Sequence, residues 1–527
     1  MKRLRYLLSG LTLLLACANA AAAENVLRWA SAGGAATFDP HAYDEPQTSA
    51  QYRQVYEALI GLDSNLELVP QLATTWRLVG PTTWEFQLRP NVRFHDGTPL
   101  IARDVVFSFA RAKAELPLGF AGRIESIAEV RALDDHTVRM ETKFPDPQVW
   151  DDVRFIYIMS EAWAAAHDAE VPVNVSAGEE NYASRHANGT GPFIPKEFEP
   201  GGAVVMVRNP DWWGLEQYPH NVDRIQFTPI ADPEERLAAL LRGDLDLLTD
   251  PPFTALERIR STPGLKLAQV PELRTVWLGF DQGRGELRSS NIKGKNPLKD
   301  KRVRQAIYQA IDIQAVRADI MRGLAVPAGM LVAPGALGYA PELDRRLPFD
   351  PTAAKALLAA AGYADGFTVT LDCRNDSFIV NDEAICRALA AQLQEVGIAV
   401  TANPQPKQIA WAKFDNRESD FWFDGWATID SGLIFNYHYR TNGSQNAAGY
   451  SNARVDELID RIDTETITYA RDAMIEEVWK IVLDDIVYIP LHQQMIVWAM
   501  RESLDFPVYP FGYPLFREAR LKPAKVN

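Results

Sequence analysis

The feature that most constrains the fold is a segment at residues 69–112 in which strand and helix patterns follow one another closely. Apolar and polar residues alternate through 84–88, the period-two pattern of a half-buried strand. A Pro-Asn pair breaks this strand, an extended run resumes at 92–94, and the turn-forming residues 96–99 redirect the chain. Apolar residues then recur at helical spacing through 105–112. The segment therefore predicts a compact β-β-α unit.

Four short motifs stand in order in this segment: P-x-L-A-x-x-W, W-x-F-x-L-R, V-x-F-H-D-G and a helix that opens A-x-D-V. Their order closely resembles the signature of the family-5 extracytoplasmic solute-binding proteins, the peptide-, nickel- and glutathione-type receptors of ABC importers. The stretches 208–214 (RNPDWWG) and 303–312 (VRQAIYQAID) are similar to two further segments of that family. One difference lies at Ile101, where the family usually has a Thr that can cap the helix, so this helix start is expected to be less well capped.

The resemblance implies an α/β, bilobal fold of the periplasmic-binding-protein type with an extra third lobe. Lobe I would combine residues 24–52, 190–272 and 493–527, the extra lobe would span 53–189, and lobe II would span 273–492. Hinge strands would join lobes I and II, and the two lobes would close over a ligand.

A βαβ unit is predicted inside lobe II from residue patterns. A strand at 367–371 is followed by an amphipathic helix at 381–396, which stops at Gly397, and by a second strand at 398–401. Strands joined by a helix pair in parallel through a right-handed crossover. We therefore expect these two strands to run parallel in one sheet.

Residues 1–23 are predicted to be a secretory signal peptide, which is removed from the mature protein. Basic residues precede an apolar run at 6–16, and a small-residue cleavage site follows at 18–20. The run is shorter than the ~20 apolar residues that a membrane span needs. The alternative is lipidation of Cys17, because the four residues that end there read L-L-A-C, a loose lipobox. We expect a monomer that begins within 21–24 and works in the periplasm.

Charge and cysteine content narrow the possible partners. The formal net charge is -15 and the sequence pI is about 5.1, which argues against nucleic acid or an anionic membrane surface. Of the three cysteines, Cys17 would leave with the signal peptide. Cys373 and Cys386 would then meet an oxidising compartment, where disulfides persist. Because one ends a predicted strand and the other lies on the next helix, we predict a short disulfide, with two buried thiols as the alternative.

Motifs of catalysis are missing from the sequence. It contains no H-E-x-x-H, no G-x-S-x-G, no phosphate-binding G-x-x-x-x-G-K-[ST] and no C-x-x-C. The eight histidines are scattered, and 437–439 (YHY) is interpreted as a packed strand segment, with a metal ligand as the alternative. We therefore expect no enzyme, no cofactor and no metal, and a periplasmic hydrolase is the competing class.

The first candidate binding segment is 420–432 (DFWFDGWATIDSG). In peptide-binding relatives, a strand that ends G-W delivers a loop whose Asp pairs with the α-ammonium of the ligand. The resemblance therefore implies that Gly425 and Trp426 are ligand-binding residues, with Asp430 as the nearest carboxylate. In the oligopeptide receptors that Asp stands three residues after the Trp, a position that Ile429 occupies here. The alternative for Asp430 is turn chemistry beside the Ser-Gly pair that follows it.

The second candidate is Arg374, which falls by its strand context where the dipeptide receptors place an Arg that clamps the C-terminal carboxylate of the ligand. A guanidinium can grip a carboxylate with two parallel hydrogen bonds. The alternative is a solvated loop arginine or an interdomain ion pair. Phe38 completes the set of predicted ligand-binding residues.

The resemblance implies a short peptide as ligand and the permease subunits of an ABC transporter as partner. If Asp430 and Arg374 hold opposite ends of a zwitterion, their spacing selects ligand length, while a wet pocket tolerates varied side chains. Nickel carried by a small chelator, an opine and glutathione are the alternative ligands within the same class.

Overall fold

The computed structural model describes residues 24–376 and 378–522. The predicted signal peptide at 1–23, and with it Cys17, lies outside the described residues. Within the described part of the chain, no helix is long and apolar enough to cross a membrane.

Strands and helices follow each other along the whole described chain. The strands are β1 (Val26–Ser31), β2 (Ile60–Leu62), β3 (Leu68–Pro70), β4 (Ala73–Gly80), β5 (Thr83–Leu88), β6 (Ile127–Asp134), β7 (Thr137–Thr142), β8 (Phe193–Phe198), β9 (Val204–Arg208), β10 (Arg224–Pro229), β11 (Leu247–Leu248), β12 (Leu265–Phe280), β13 (Ala325–Pro327), β14 (Phe367–Arg374), β15 (Ile398–Gln405), β16 (Phe421–Ala427), β17 (Tyr488–Arg501), β18 (Leu504–Asp505) and β19 (Arg520–Leu521). The α-helices are α1 (Pro46–Tyr52), α2 (Ala102–Ala112), α3 (Val149–Val153), α4 (Glu161–Ala166), α5 (Tyr182–Arg185), α6 (Pro233–Arg242), α7 (Leu256–Ser261), α8 (Lys301–Gln309), α9 (Ile313–Ala315), α10 (Pro351–Ala360), α11 (Asp382–Gln394), α12 (Lys407–Asp415), α13 (Ser431–Ile434), α14 (Ala453–Ile462) and α15 (Thr468–Asp484). Short π-helical segments follow α9 (Val316–Ile320) and α13 (Phe435–Tyr439).

One mixed sheet of 11 strands organises the molecule, in the order β15-β14-β16-β12-β17-β11-β1-β10-β9-β8, with β13 paired to β17. Its longest members are β12, with 16 residues, and β17, with 14 residues, which pair antiparallel. Residues 265–271 pair with 495–501 at one end, and 275–279 pair with 488–493 at the other, with bulges between. These two strands therefore run from one half of the molecule into the other.

Separate apolar cores lie on the two sides of this strand pair and in a smaller sheet. The four-stranded sheet β4-β5-β7-β6 and α2 enclose a core whose buried residues come from the sequence range 59–158. Another core collects residues of β1, β9 and β10 with the last residues of β17. Two more cores cover the faces of β12 and β16, one under α8 and α11 and one under α14 and α15. The core of β1, β9 and β10 also includes residues of the predicted extra lobe, among them Tyr56 and Tyr157, and the division into lobe I, an extra lobe and lobe II stays a prediction.

The predicted βαβ unit is confirmed by β14, α11 and β15. The two strands pair in parallel, beginning with Phe367 opposite Ile398. Between them, α11 buries Ile385, Leu389 and Leu393 against the sheet. The pairing with β15 and the packing of α11 hold the carboxyl end of β14 in place. This end carries Arg374, one of the predicted site residues.

The segment at 69–112 forms a β-β-α unit in which one predicted strand is wrong. The strand at 84–88 is confirmed as β5, but its partner is β4, which precedes it. Residues 92–94 contribute one bridge, Arg93 to Pro99, because tight turns on both sides leave no room for a ladder. The helix α2 begins after Ile101, whose side chain makes no capping hydrogen bond, and Asp104 accepts the Ile101 N–H at 2.9 Å.

Candidate functional site

A cavity of about 470 Å³ opens beside β12 and β16 in the predicted lobe II. Six aromatic side chains dominate its lining: Trp277, Phe378, Trp411, Phe414, Trp422 and Trp426. Arg274, Asp424 and His438 add polar groups, and Gly425 adds backbone. Its size and its mixture of apolar walls with few polar groups are typical of small-molecule sites, which enclose about 300–1,000 Å³.

The aromatic face of the cavity follows from strand geometry. Trp422, Asp424 and Trp426 are alternate residues of β16, so their side chains lie on one face of the sheet. In the antiparallel register of β12 and β16, Trp277 stands opposite Asp424. Opposed residues on neighbouring strands have Cβ atoms about 4.5–5.5 Å apart. The side chain of Asp424 therefore lies on the same face of the sheet as those of Trp277, Trp422 and Trp426.

Asp424 is incompletely paired. Its Oδ1 is buried without a hydrogen-bond partner, and the nearest cationic atom, Arg374 Nη1, lies 3.8 Å away. That distance is too long for a hydrogen bond. Burial raises the pKa of Asp424 to about 6, although the neighbouring guanidiniums of Arg374 and Arg274 act in the opposite direction. About 20% of its side chain remains exposed, so a molecule in the cavity can reach the carboxylate.

Arg374, the last residue of β14, is fully buried and packs against two aromatic residues of the cavity lining. Its guanidinium lies 4.0 Å from the ring centre of Phe378 and 4.8 Å from that of Trp411. Nε and Nη2 donate to the two carboxylate oxygens of Asp376 at 3.0 and 2.7 Å. Nη1 is buried and has no hydrogen-bond partner among the described residues. The ion pair of Arg374 thus lies within its own loop and is not the interdomain pair named as the alternative, and one terminal nitrogen of the arginine has no hydrogen bond.

Arg274 supports the same wall from β12. Its guanidinium lies over the ring of Phe378, 3.6 Å from the ring centre. Nη2 pairs with Glu272 at 3.0 Å, and Nη1 donates to the carbonyl oxygen of Phe378 at 2.7 Å. Each of the two wall arginines therefore has a carboxylate of its own, Glu272 for Arg274 and Asp376 for Arg374.

His438 packs against the cavity as a neutral ring. His438 and Tyr439 are buried as expected, but in the π-helical segment Phe435–Tyr439 rather than in a strand, and Tyr437 is exposed. The imidazole meets Trp277 and Trp426 edge to face, with ring centres 5.3 and 4.6 Å apart. Burial lowers the pKa of His438 to about 3, so the ring carries no charge at neutral pH. In the part of the chain that the structure describes, no three His, Cys, Asp or Glu side chains form a metal site.

Asp430 is not among the residues that line this cavity, and its role as the ligand anchor stays a prediction. Its side chain is fully buried, and its two oxygens accept hydrogen bonds from Arg471, each at 2.9 Å. Oδ1 also accepts hydrogen bonds from Gly432 N–H and from Gln148 Nε2. Asp430 is the N-cap of α13, so the turn chemistry named as the alternative is what the structure shows.

Phe38 is also not among the residues that line the cavity, and its contact with a ligand stays a prediction. It is fully buried, with its ring centre 4.4 Å from that of Phe198. Both rings pack in the core of β1, β9 and β10. Its N–H donates to the carbonyl oxygen of Ser184 at 3.0 Å. Phe38 therefore helps to build this core rather than the cavity.

Cys373 and Cys386 are bonded to each other next to the site. Their Cα atoms lie 6.4 Å apart, and both side chains are fully buried. The bond links the residue before Arg374, in β14, to α11. The disulfide thereby restrains the end of β14, which carries Arg374. The state of these thiols in the exported protein stays a prediction.

Gly425 and Trp426 line the cavity at the positions that the sequence indicated, and their contact with a ligand stays a prediction. A Cβ on Gly425 would lie 3.2 Å from the carbonyl oxygen of Thr275, so the close approach of β12 explains the glycine. Sequence reasoning missed Asp424, although the alternating stretch 422–426 (WFDGW) signalled a carboxyl group on an aromatic strand face.

A second contact region joins the predicted extra lobe to lobe II. Gln148 Nε2 donates to Asp430 Oδ1 at 3.0 Å across this boundary. Beside it lies a cavity of about 840 Å³ whose lining includes Trp84, Trp150 and Ile429. A small apolar cluster that includes Leu62, Ala333 and Ile429 continues the contact.

Comparison with known proteins shows one family over most of the chain. The family model described as bacterial extracellular solute-binding proteins, family 5 Middle, matches residues 67–448. The Dipeptide-binding protein of Escherichia coli (strain K12) is 26% identical over 434 residues, which cover 78% of this chain and 77% of that protein. Heme-binding protein A of Haemophilus influenzae is 24% identical over 505 residues, covering 89% and 87%.

The fold is shared with solved structures. HbpA2 from Haemophilus parasuis superposes with a TM-score of 0.81 at 23% identity, and the match covers 94% of this chain and 100% of that chain.

Proposed function

This chain belongs to the bacterial extracellular solute-binding proteins of family 5, and we propose that it is the periplasmic receptor of an ABC importer for a short peptide. The peptide is held between lobes I and II, and the closed form delivers it to the permease in the inner membrane. A ligand that contacts both lobes stabilises the closed arrangement through its higher affinity for that state.

One observation carries the proposal: the cavity beside β12 and β16 combines aromatic walls with charged groups of both signs. A short peptide offers an ammonium group, a carboxylate and apolar side chains, and each of these has a counterpart here. Arg374 is proposed as the partner of the ligand carboxylate; its Nη1 is buried, has no hydrogen bond and lies 3.8 Å from Asp424 Oδ1. Asp424 is an incompletely paired carboxylate. Gly425 and Trp426 are the remaining ligand-binding residues of the proposal. The name of the Escherichia coli relative supports a peptide ligand.

The long strands β12 and β17 supply the hinge of this proposal. They cross between the two halves side by side, and their ladder is interrupted between Pro271 and Thr275. A bulged strand bends more easily at the interruption than along a regular ladder. Closure is therefore expected to bend the pair near these residues.

Calorimetry and native mass spectrometry of the ligand-free protein test the function. The probes are a set of dipeptides and tripeptides, with heme, glutathione, an opine and nickel-histidine as comparators. We expect one peptide per chain and no saturable binding of the comparators. If a comparator binds saturably and no peptide does, the proposed ligand is wrong and the proposed receptor function stands.

As a receptor, the protein is expected to have no catalytic activity towards its ligand. The bound peptides should be recovered intact by liquid chromatography after prolonged incubation with the protein at 37 °C. Progressive cleavage beyond one equivalent would identify a hydrolase and contradict the receptor assignment.

A further inference from the structure

We propose that the protein binds a free small anion, chloride or a carboxylate as small as formate, in a cavity lined by Arg53, Arg154 and Arg517. This cavity, of about 40 Å³, shares no lining residue with the aromatic cavity beside β12 and β16. The inference therefore goes beyond the proposed peptide ligand and does not depend on it.

The cavity lies where the predicted extra lobe meets the predicted lobe I. The extra lobe supplies lining residues from the ranges 53–71 and 154–157, and lobe I supplies residue 192 and others from the range 511–517. Two of the arginines directly follow α1 and α3, and the third lies in the 3₁₀-helical turn Phe516–Glu518. Three separate segments thus bring three guanidinium groups to one small cavity.

Arg517 is a buried guanidinium that lacks acceptors. Its side chain is 7% exposed, and its Nε and Nη2 have no hydrogen-bond partner among the described residues. Its ion pair with Glu518 is long, with 3.6 Å between Nε and Oε1, and that oxygen already accepts a hydrogen bond from the Tyr509 hydroxyl. The guanidinium also lies over the ring of Tyr218, 4.7 Å from its centre. Buried donors of this kind need an acceptor from outside the chain, an ordered water or an ion.

Arg53 is the second guanidinium without an acceptor. Its Nε is buried and has no hydrogen-bond partner, and its central carbon lies 4.2 and 5.2 Å from the ring centres of Tyr513 and Tyr157. Among the described residues it forms no salt bridge, and Asp44, whose charge acts on it, accepts two hydrogen bonds from Arg123 instead. Arg53 is partly exposed, so an ion can reach it from solvent.

Glu57 is the one carboxyl group among the described residues that line the cavity, and its oxygens are occupied by other donors. Trp212 donates to Oε1 at 3.1 Å, while Trp213 and Thr190 donate to Oε2 at 2.8 Å each. Burial raises the pKa of Glu57, although these three hydrogen bonds act in the opposite direction. Glu57 therefore does not serve as the acceptor that the arginines lack.

Charge favours an anion over water as the occupant. Arg154 has a carboxylate of its own, Asp151, whereas Arg53 has none. Water would satisfy the free N–H groups but would leave Arg53 without a counter-charge, and a charge removed from bulk water is costly unless it is paired. The edge of a guanidinium binds anions through charge-assisted hydrogen bonds.

The volume of the cavity limits the size of the anion. A volume of about 10–15 Å³ is enough for one water molecule. A cavity of about 40 Å³ therefore has room for chloride or formate and excludes larger organic acids.

The first experiment is thermal melting of the ligand-free mature protein in sodium gluconate, whose anion is too large for the cavity, with stepwise replacement by chloride at constant ionic strength. We expect 100 mM chloride to raise the melting temperature by about 2–4 °C, as mass action requires of an ion that binds only the folded state, and formate to act in the same way. Arg53→Met and Arg517→Met should each remove most of this rise. The control Arg77→Gln, at an arginine that is 75% exposed and pairs with Glu85, removes the same charge and should keep it.

A second pair of measurements uses the wild type alone, so it decides the proposal even if an arginine variant does not fold. Excess broadening of the chloride NMR signal should report exchange with the protein, and formate should largely remove it. Crystals grown with bromide should show an anomalous peak between the side chains of Arg53 and Arg517.

Three results would overturn the proposal. Equal melting temperatures in gluconate and chloride, without excess broadening, would show that water fills the cavity. A chloride effect that persists in both folded arginine variants would place the ion elsewhere, as would bromide found only outside the cavity.

Discussion

At the scale of residues, a buried ion pair contributes to the stability of this protein. Arg471 and Asp430 form a pair whose side chains are 6% and 0% exposed. Removing one member of a buried pair leaves the other as an uncompensated charge, which costs about 3–5 kcal/mol.

We therefore expect Arg471→Met to lower the free energy of unfolding by about 3–5 kcal/mol in urea titrations. The double variant Arg471→Met/Asp430→Asn should recover much of that loss, because the buried charge is gone. Peptide affinity of folded Arg471→Met should equal that of the wild type, since this variant keeps Asp430 and its hydrogen bond from Gln148. A loss of affinity in the folded double variant well beyond that of Gln148→Ala would support Asp430 as the ligand anchor.

Asp152 provides a pH-dependent contribution of the opposite kind. Burial, followed by the charges of Asp146 and Asp151, raises its pKa from 3.8 to about 8. The folded protein thus holds a proton that the unfolded chain releases above about pH 4, so this group lowers stability as pH rises from 4 towards 8.

Asp152→Asn should accordingly raise the free energy of unfolding by about 1–3 kcal/mol at pH 8 and leave it near the wild-type value at pH 4.5. Urea titrations of both proteins at the two pH values measure the difference. An equal effect at both pH values would mean that Asp152 does not titrate in this range.

Residue patterns predict only part of the surroundings of the cavity. Gly425 and Trp426 line it and Arg374 packs against two of its aromatic residues, and all three follow from strand ends that resemble those of known receptors. The pairing of Asp430 with Arg471 is not predictable from the sequence, because tertiary structure brings the two residues together. Asp424 was missed because a single charged residue in a strand usually faces solvent, and the strand pairing that places Trp277 opposite it is not visible in the sequence.

At the scale of elements, the junction of β14 with α11 positions the arginine of the site. The Cys373–Cys386 bond closes a loop with a sequence separation of 13 residues. A loop of that length stabilises the folded state by about 3 kcal/mol when it is closed covalently.

We expect that thiol labelling of the denatured, unreduced mature protein finds no free cysteine, and that Cys373→Ser/Cys386→Ser lowers the free energy of unfolding by about 3 kcal/mol. Peptide binding should weaken as well, because Arg374 follows Cys373 directly. Two labelled thiols per chain would show that the pair is reduced.

Elements were predictable where local pattern and tertiary pairing agree. The βαβ unit of β14, α11 and β15 follows from its own periodicities, since each strand pairs with a neighbour that is close in sequence. The run at 92–94 has strand-like composition, but the turns on both sides of it allow one bridge only. The course of β12 and β17 was not predictable in detail, because their pairing joins residues more than 200 positions apart.

At the scale of the whole molecule, the hydrogen bond from Gln148 to Asp430 is a contact between the predicted extra lobe and lobe II. Hydrogen bonds to charged groups contribute about 1.5–3 kcal/mol. If this contact belongs to the closed arrangement, losing it shifts the population towards open forms and lowers affinity without touching the cavity.

Gln148→Ala is expected to weaken peptide binding about tenfold in calorimetry and to increase the radius of gyration of the ligand-free protein in solution scattering. Gln217→Ala, at an exposed glutamine that bonds to the adjacent Tyr218, serves as the control. An unchanged affinity of Gln148→Ala would show that the two lobes keep their arrangement without this contact.

The register of β12 with β17 has a consequence for how such a molecule is assembled and altered. Thr275 stands opposite Gln493 in the pairing of β12 with β17. The chain segment from 275 to 493 therefore begins and ends at neighbouring positions of the same sheet. A long insert with neighbouring ends can be lengthened, exchanged or excised while the path of the remaining chain is preserved. We therefore expect that the half of the protein that carries the aromatic cavity can be exchanged by recombination at two sites, because the path of the remaining chain is kept.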